Sequence, residues 1–254
     1  MQPRNLRPEA PGRECTLIEM RPRSRTLGVL AAVAILTACA PESVTEQGRS
    51  VNRLYDFFTV AAAVIFTITA GLIAWSIARY RGRGEEDLPE QWHSNVPLEI
   101  LWFAVPSVIV AVLFVVSMNS LDVLDEKVEA PEVTVAVEGF QWGWRFSYEG
   151  EDVVISGTAQ DPDPPEIVLP VDETISFEVT GADVIHGFYV PKFLFKRDAI
   201  PGRTNRFDVT IEEPGVYDGK CAEFCGLLHS DMNFTISAVE RAEFDRWLDE
   251  QRGG

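Results

Sequence analysis

The chain carries three histidines, and two of them flank its only closely spaced cysteines. The stretch Cys221-Ala222-Glu223-Phe224-Cys225-Gly226-Leu227-Leu228-His229-Ser230-Asp231-Met232 sets two thiols, an imidazole and a thioether within one loop's length, and His186 lies upstream. These are soft to borderline donors, which suit copper far better than magnesium or calcium. One thiolate, two histidines and a distant methionine make a mononuclear blue-copper site. A second thiolate four residues on lets two sulfurs bridge two metals, each capped by a histidine. Two plainer chemistries compete. Cys221 and Cys225 could form a disulfide in an oxidising compartment, or the set could hold zinc. Structural zinc sites rarely pair CxxxC with a methionine, and His186, His229 and Met232 together favour a metal over a disulfide.

Such a cluster needs a rigid frame, and from about Pro131 the sequence supplies one. Short runs of alternating character cover 133–137, 166–170, 174–179, 205–211 and 233–237. Turn signals separate them: Asp161-Pro162-Asp163-Pro164-Pro165, Pro201-Gly202 and Pro214-Gly215. Strands of this length and spacing predict an antiparallel β-sandwich or barrel, closed by a short helix over 240–251.

The first half belongs to another solvent. Residues 57–78 and 100–121 are two spans of 22 residues without a charge, each long enough at 1.5 Å per residue to cross a hydrocarbon core of roughly 30 Å. Arg79, Arg81 and Arg83 lie between them, so the positive-inside rule puts that loop in the cytoplasm and everything after Asp122 outside. A shorter apolar stretch, 26–38, follows Arg21, Arg23 and Arg25 and reads as a secretory signal over 1–38. It ends in Leu36-Thr37-Ala38-Cys39, which resembles the lipobox of bacterial lipoproteins. Cys39 is therefore the expected lipidation site, with 39–56 as an outer segment, 57–121 as the helical hairpin and 122–254 as the extracytoplasmic domain; an ordinary signal peptide with an incidental cysteine is the alternative.

Charge divides along the same line. Residues 1–120 hold 11 basic and 11 acidic side chains, so the net charge of −17 sits wholly in the second half. A phosphate backbone would be repelled, which excludes nucleic acid as its partner; a basic partner is favoured.

Taken together, these features resemble subunit II of haem–copper cytochrome c oxidases. The motif Cys-x-Glu-x-Cys-x-x-x-His-x-x-Met stands complete at 221–232, with Gln141-Trp142-Gly143-Trp144 before it and Asp198-Ala199-Ile200-Pro201-Gly202-Arg203 after the first histidine. Gly143 and Gly187 depart from bulkier residues usual in that family. The resemblance implies a two-helix transmembrane hairpin followed by an all-β cupredoxin-like domain. It implies a dinuclear copper centre, CuA, with Cys221 and Cys225 bridging, His186 and His229 terminal, Met232 axial and the Glu223 carbonyl opposite it. The Glu223 side chain would reach a magnesium ion shared with subunit I.

Further roles follow from the same likeness. Trp142 resembles the aromatic through which electrons arrive from cytochrome c; by its residue type alone it would be core or rim packing. Glu99 matches an acid at the cytoplasmic mouth of a proton path, although a glutamate in a first helical turn is favoured by the helix dipole anyway. Asp183, three residues before His186, is expected among the rim carboxylates that dock cytochrome c. The implied whole is a bacterial cell-membrane subunit working with subunits I and III and not catalytic alone. A copper-free quinol oxidase relative and a membrane-anchored copper carrier are the alternatives. No Cys-x-x-Cys-His follows the copper motif, so no haem-attachment site is expected there.

Overall fold

A computed structural model of the chain describes residues 42–81 and 93–253. The expected signal segment, Cys39 and most of the loop between the helices lie outside the described residues.

Two long helices open the described chain: α1, Glu46–Arg79, and α2, Val96–Asp125. Their 34 and 30 residues correspond to about 51 and 45 Å at 1.5 Å per residue. Both exceed the apolar spans because capping, not hydropathy, sets helix ends. Thr45 caps α1 by accepting the Gly48 N–H, so the segment 46–56, expected as a separate outer stretch, is the helix's own first turns. Asn95 caps α2 through the Leu98 N–H. No residue in the apolar window of either helix is buried, as expected of a lipid-facing surface. Near the start of α1 and the end of α2, Ser50 Oγ meets Ser120 Oγ at 3.3 Å.

Ten strands follow: β1 Val133–Phe140, β2 Gly143–Tyr148, β3 Val154–Thr158, β4 Glu166–Pro170, β5 Thr174–Gly181, β6 His186–Val190, β7 Phe195–Ala199, β8 Asn205–Thr210, β9 Gly215–Cys221 and β10 Asn233–Val239. They form two five-stranded sheets, ordered β3-β2-β1-β5-β8 and β4-β10-β9-β6-β7, with the helix α3, Arg241–Arg252, closing the chain. The architecture is a sandwich, and it is not purely antiparallel: β1 pairs parallel to β5, and β10 parallel to β4. Alternation along a strand reveals the face it buries but not the direction of its neighbour, so these pairs were not readable from pattern.

The inner faces meet in an aromatic core. Phe188 stacks on Phe234 with centroids 4.7 Å apart, and Phe177, Phe207, Phe146 and Trp144 surround them. Burial of each such ring is worth on the order of 2–3 kcal/mol. The sandwich is also tied to the helix ends. Val44 and Thr45 continue the sheet edge beside Ile211, and the Gln47 side chain accepts the Thr210 N–H. Arg197 on β7 donates to Leu124 O and Asp125 at the end of α2. Asp208, buried on β8, accepts the Val128 N–H at 2.7 Å and pairs with Arg206.

Candidate metal centre

Strand order gathers the donors. β6 and β9 are neighbours, with Phe188 opposite Cys221, so His186 at the start of β6 lies beside Cys221 at the end of β9. The chain then loops through 222–228, makes a short 3-10 turn at His229–Asp231 and returns as β10. The Cys221 N–H donates to Met232 O at 3.0 Å, closing the base of this loop. Gly187 lets it approach: a Cβ there would fall 2.9 Å from Ala222 C and Glu223 N, and the Ala222 N–H donates to Gly187 O. The departure from a bulkier residue after His186 thus has a physical reason.

All the sequence-predicted copper ligands converge. His186 Nδ1 lies 4.0 Å from Cys221 Sγ, Cys221 Sγ 3.8 Å from Cys225 Sγ, and Cys225 Sγ 3.7 Å from His229 Nδ1. Met232 Sδ is 3.9 Å from Cys225 Sγ, and the Glu223 carbonyl oxygen is 3.3 Å from Cys221 Sγ. Both thiols are free, so the disulfide alternative is not realised. His186, Cys221, Cys225 and Met232 are buried. The ligand atoms of His186, Cys221 and Cys225 alone lie within 4.8 Å of one another, close enough to share one ion.

The electrostatics favour a cation. Burial raises the Cys221 thiol, but hydrogen bonding with His186 and with the backbone at Gly187 and Glu223 outweighs it and holds the group down to about 6. Burial and the adjacent Cys221 push Cys225 up to about 12. Two thiolates this close repel each other, and a metal ion that binds both removes that repulsion.

The surroundings lock the donors in place. Trp144, buried, packs its ring edge near His186 and donates Nε1–H to Met232 O at 3.3 Å. Trp142 is half-buried and donates its indole N–H to Cys225 O at 3.1 Å; the Gln141 side-chain amide donates to the same oxygen at 2.8 Å. Phe224 and Leu227, 83% and 84% exposed, project from the loop and make an apolar rim. The Glu223 carboxylate pairs with Lys196 of β7, which also holds Asp198 at 2.7 Å.

Two of the predicted residues stand elsewhere or differently. Glu99 is remote in sequence and fold, in the first turn of α2, where its carboxylate accepts the Asn95 N–H at 3.2 Å. Asp183, expected at a docking rim, bonds directly to His186 Nε2 at 2.9 Å. Gln141 was not singled out for its own contacts, although its backbone and side chain both reach the centre; only the adjacency to Trp142 pointed there.

Comparison with known proteins gives one family. Residues 133–239 match the cytochrome c oxidase subunit II periplasmic domain, and residues 36–123 match the transmembrane domain of the same subunit. The probable cytochrome c oxidase subunit 2 of Nocardia farcinica is 34% identical over 277 residues, covering 84% of this chain and 74% of that protein. The cytochrome c oxidase subunit 2 of Alkalihalophilus pseudofirmus is 32% identical over 239 residues, covering 89% and 68%. Among solved structures, the periplasmic domain of subunit II of cytochrome oxidase from Bradyrhizobium japonicum shares 34% identity at a TM-score of 0.46, covering 50% of this chain and 98% of that one. Helical hairpin, sandwich and donor cluster thus occur together in a chain that belongs to the cytochrome c oxidase subunit II family.

Proposed function

We propose that this subunit accepts single electrons from cytochrome c at a centre of two copper ions and passes them to haem in subunit I, where oxygen is reduced and protons are pumped. The observation that carries the reading is the unbroken donor line from His186 through Cys221 and Cys225 to His229, no step longer than 4.0 Å. Cys221, Cys225, His186, His229, Met232 and the Glu223 carbonyl would hold the copper, and copper bound there would supply a one-electron couple.

The chain's own contribution is rigidity and exclusion of water. Strands β6, β9 and β10 fix the donors, and the aromatic core beneath them leaves little to reorganise when charge changes. Trp142, at the rim and bonded to Cys225 O, offers the contact through which electrons arrive. The acidic outer half suits a basic partner steered by charge.

Other parts of the reading concern the assembly. The Glu223 carboxylate, held by Lys196, would give one ligand to a magnesium ion shared with subunit I. Glu99 would admit protons at the cytoplasmic side. Subunits I and III are the membrane partners, with the sandwich outside a bacterial cell membrane and Cys39 carrying lipid.

The complete donor set disfavours a copper-free quinol oxidase subunit. Burial of His186, Cys221 and Cys225 disfavours a carrier, which must release its metal. Copper analysis and electron paramagnetic resonance of the purified full chain test the proposal. The expected result is two coppers per chain and hyperfine structure from one spin shared between them. A single copper, or zinc alone, refutes it.

A further inference from the structure

We propose that Asp183 is a positioning residue for His186: its carboxylate receives the Nε2 proton and so fixes the ring with Nδ1 facing the Cys221 side of the cluster. The inference rests on the copper reading for its consequence, but its geometry stands on this chain alone.

A neutral imidazole has one N–H donor and one acceptor nitrogen, and an ionised carboxylate only accepts. The 2.9 Å contact between His186 Nε2 and Asp183 Oδ1 therefore assigns the proton to Nε2. Nδ1, 4.0 Å from Cys221 Sγ, is left as the ring nitrogen that faces the cluster. The His186 side chain is wholly buried, so water cannot serve this nitrogen in place of the carboxylate.

Asp183 is itself held. Its Oδ1 also accepts the Val184 N–H at 2.6 Å, and its Oδ2 accepts the Gln141 N–H at 2.7 Å. Gln141 lies between β1 and β2, far from His186 in sequence, and its side chain reaches Cys225 O. One carboxylate thus joins the turn that carries Trp142 to the His186 side of the centre, while Gln141 and Trp142 join it to the Cys225 side. His229, the other terminal ligand, has no carboxylate partner among the described residues. The two ends of the cluster are unequal by construction.

This departs from the rim-charge role expected of Asp183. A rim carboxylate acts at long range on association; one that receives three N–H groups and orients a ligand acts on the metal. Partners of this kind raise ligand basicity, and their loss commonly costs 10–100-fold in metal affinity.

The experiment has a metal-free arm and a copper arm, both on the full chain in detergent. With histidine selectively labelled with nitrogen-15, the metal-free protein should show His186 protonated at Nε2, whether or not Nδ1 also carries a proton; a ring protonated at Nδ1 alone overturns the proposal before any copper is added. In the copper arm, chelator competition should show Asp183→Ala weakened about 10–100-fold, with an altered thiolate charge-transfer band and a raised reduction potential. Asp183→Asn retains one acceptor oxygen and should recover part of the affinity. Unchanged affinity, spectrum and potential in both variants, with only cytochrome c association lost, would make Asp183 a rim charge. Failure of the wild-type chain to bind two coppers would strike the copper reading and leave the tautomer result standing.

Discussion

Gly226 is the most demanding position in the loop that carries the donors, and replacing it by alanine makes a quantitative test of how that loop is held. Its φ is +123°, a region essentially reserved for glycine, where another residue costs on the order of 1–3 kcal/mol. A Cβ there would also sit 3.1 Å from Trp142 Cζ2, 3.2 Å from Trp142 Nε1 and 3.3 Å from Gln141 Nε2. Those two side chains are the donors to Cys225 O. Moving them aside weakens two hydrogen bonds worth about 1 kcal/mol each. With both bonds lost the sum is about 3–5 kcal/mol, and it falls where Cys225 is positioned.

Gly150 provides the internal control. Its φ is +78°, but nothing lies within 4 Å of an added Cβ, so Gly150→Ala should cost only the left-handed backbone term of roughly 1–2 kcal/mol. Urea unfolding of the full chain, followed by tryptophan fluorescence, measures both variants. The copper spectrum should change for Gly226→Ala and remain unaltered for Gly150→Ala. If the two variants unfold within about 0.5 kcal/mol of each other and both keep a normal copper spectrum, the contacts of Gln141 and Trp142 with the loop do not hold the centre.

Asp208→Ala should destabilise the sandwich by about 1–3 kcal/mol, because the Val128 N–H loses its acceptor while Arg206 keeps Ser176 Oγ and Val128 O; denaturant midpoints at constant slope check this. Trp142→Gln should leave the salt dependence of cytochrome c association intact and slow the first electron transfer, read by stopped-flow reduction across a salt series; lost affinity with a preserved bound-state rate would make the tryptophan packing only. Glu99→Gln should slow steady-state turnover with copper content unchanged. The amide oxygen still accepts the Asn95 N–H, so the helix cap survives and the charge alone is tested; turnover unchanged at every pH would leave Glu99 a helix-end residue.

The donor set was legible because chemistry and spacing coincide in it. Cys221, Cys225, His229 and Met232 lie in one loop, and a loop between two adjacent strands brings its own residues together without help from distant sequence. His186 was legible as a residue type, but its convergence depends on β6 lying beside β9, a pairing between strands far apart in the chain. Pattern does not mark β2, β3, β6, β7 or β9, and the last three of these lie in the sheet that carries the centre. β6 reads His-Gly-Phe-Tyr-Val, with Gly187 where the loop backbone presses close, and β7 reads Phe-Lys-Arg-Asp-Ala, charged because it faces Glu223 and the end of α2. Function overrode propensity in both.

Asp183 shows the same limit from the other side. A carboxylate three residues before a histidine is compatible with solvent exposure, docking or ligand orientation, and local sequence does not choose among them. The choice is made by Gln141, whose backbone N–H arrives from the β1–β2 turn. β1 also pairs in parallel with β5, and the segment leaving β5 carries Asp183 towards His186. That parallel pairing needs a long crossover, so the contact that orients the ligand is set by topology. The centre is therefore read in two layers: the donors from one loop and one upstream histidine, and their orientation from the way the sheets are threaded.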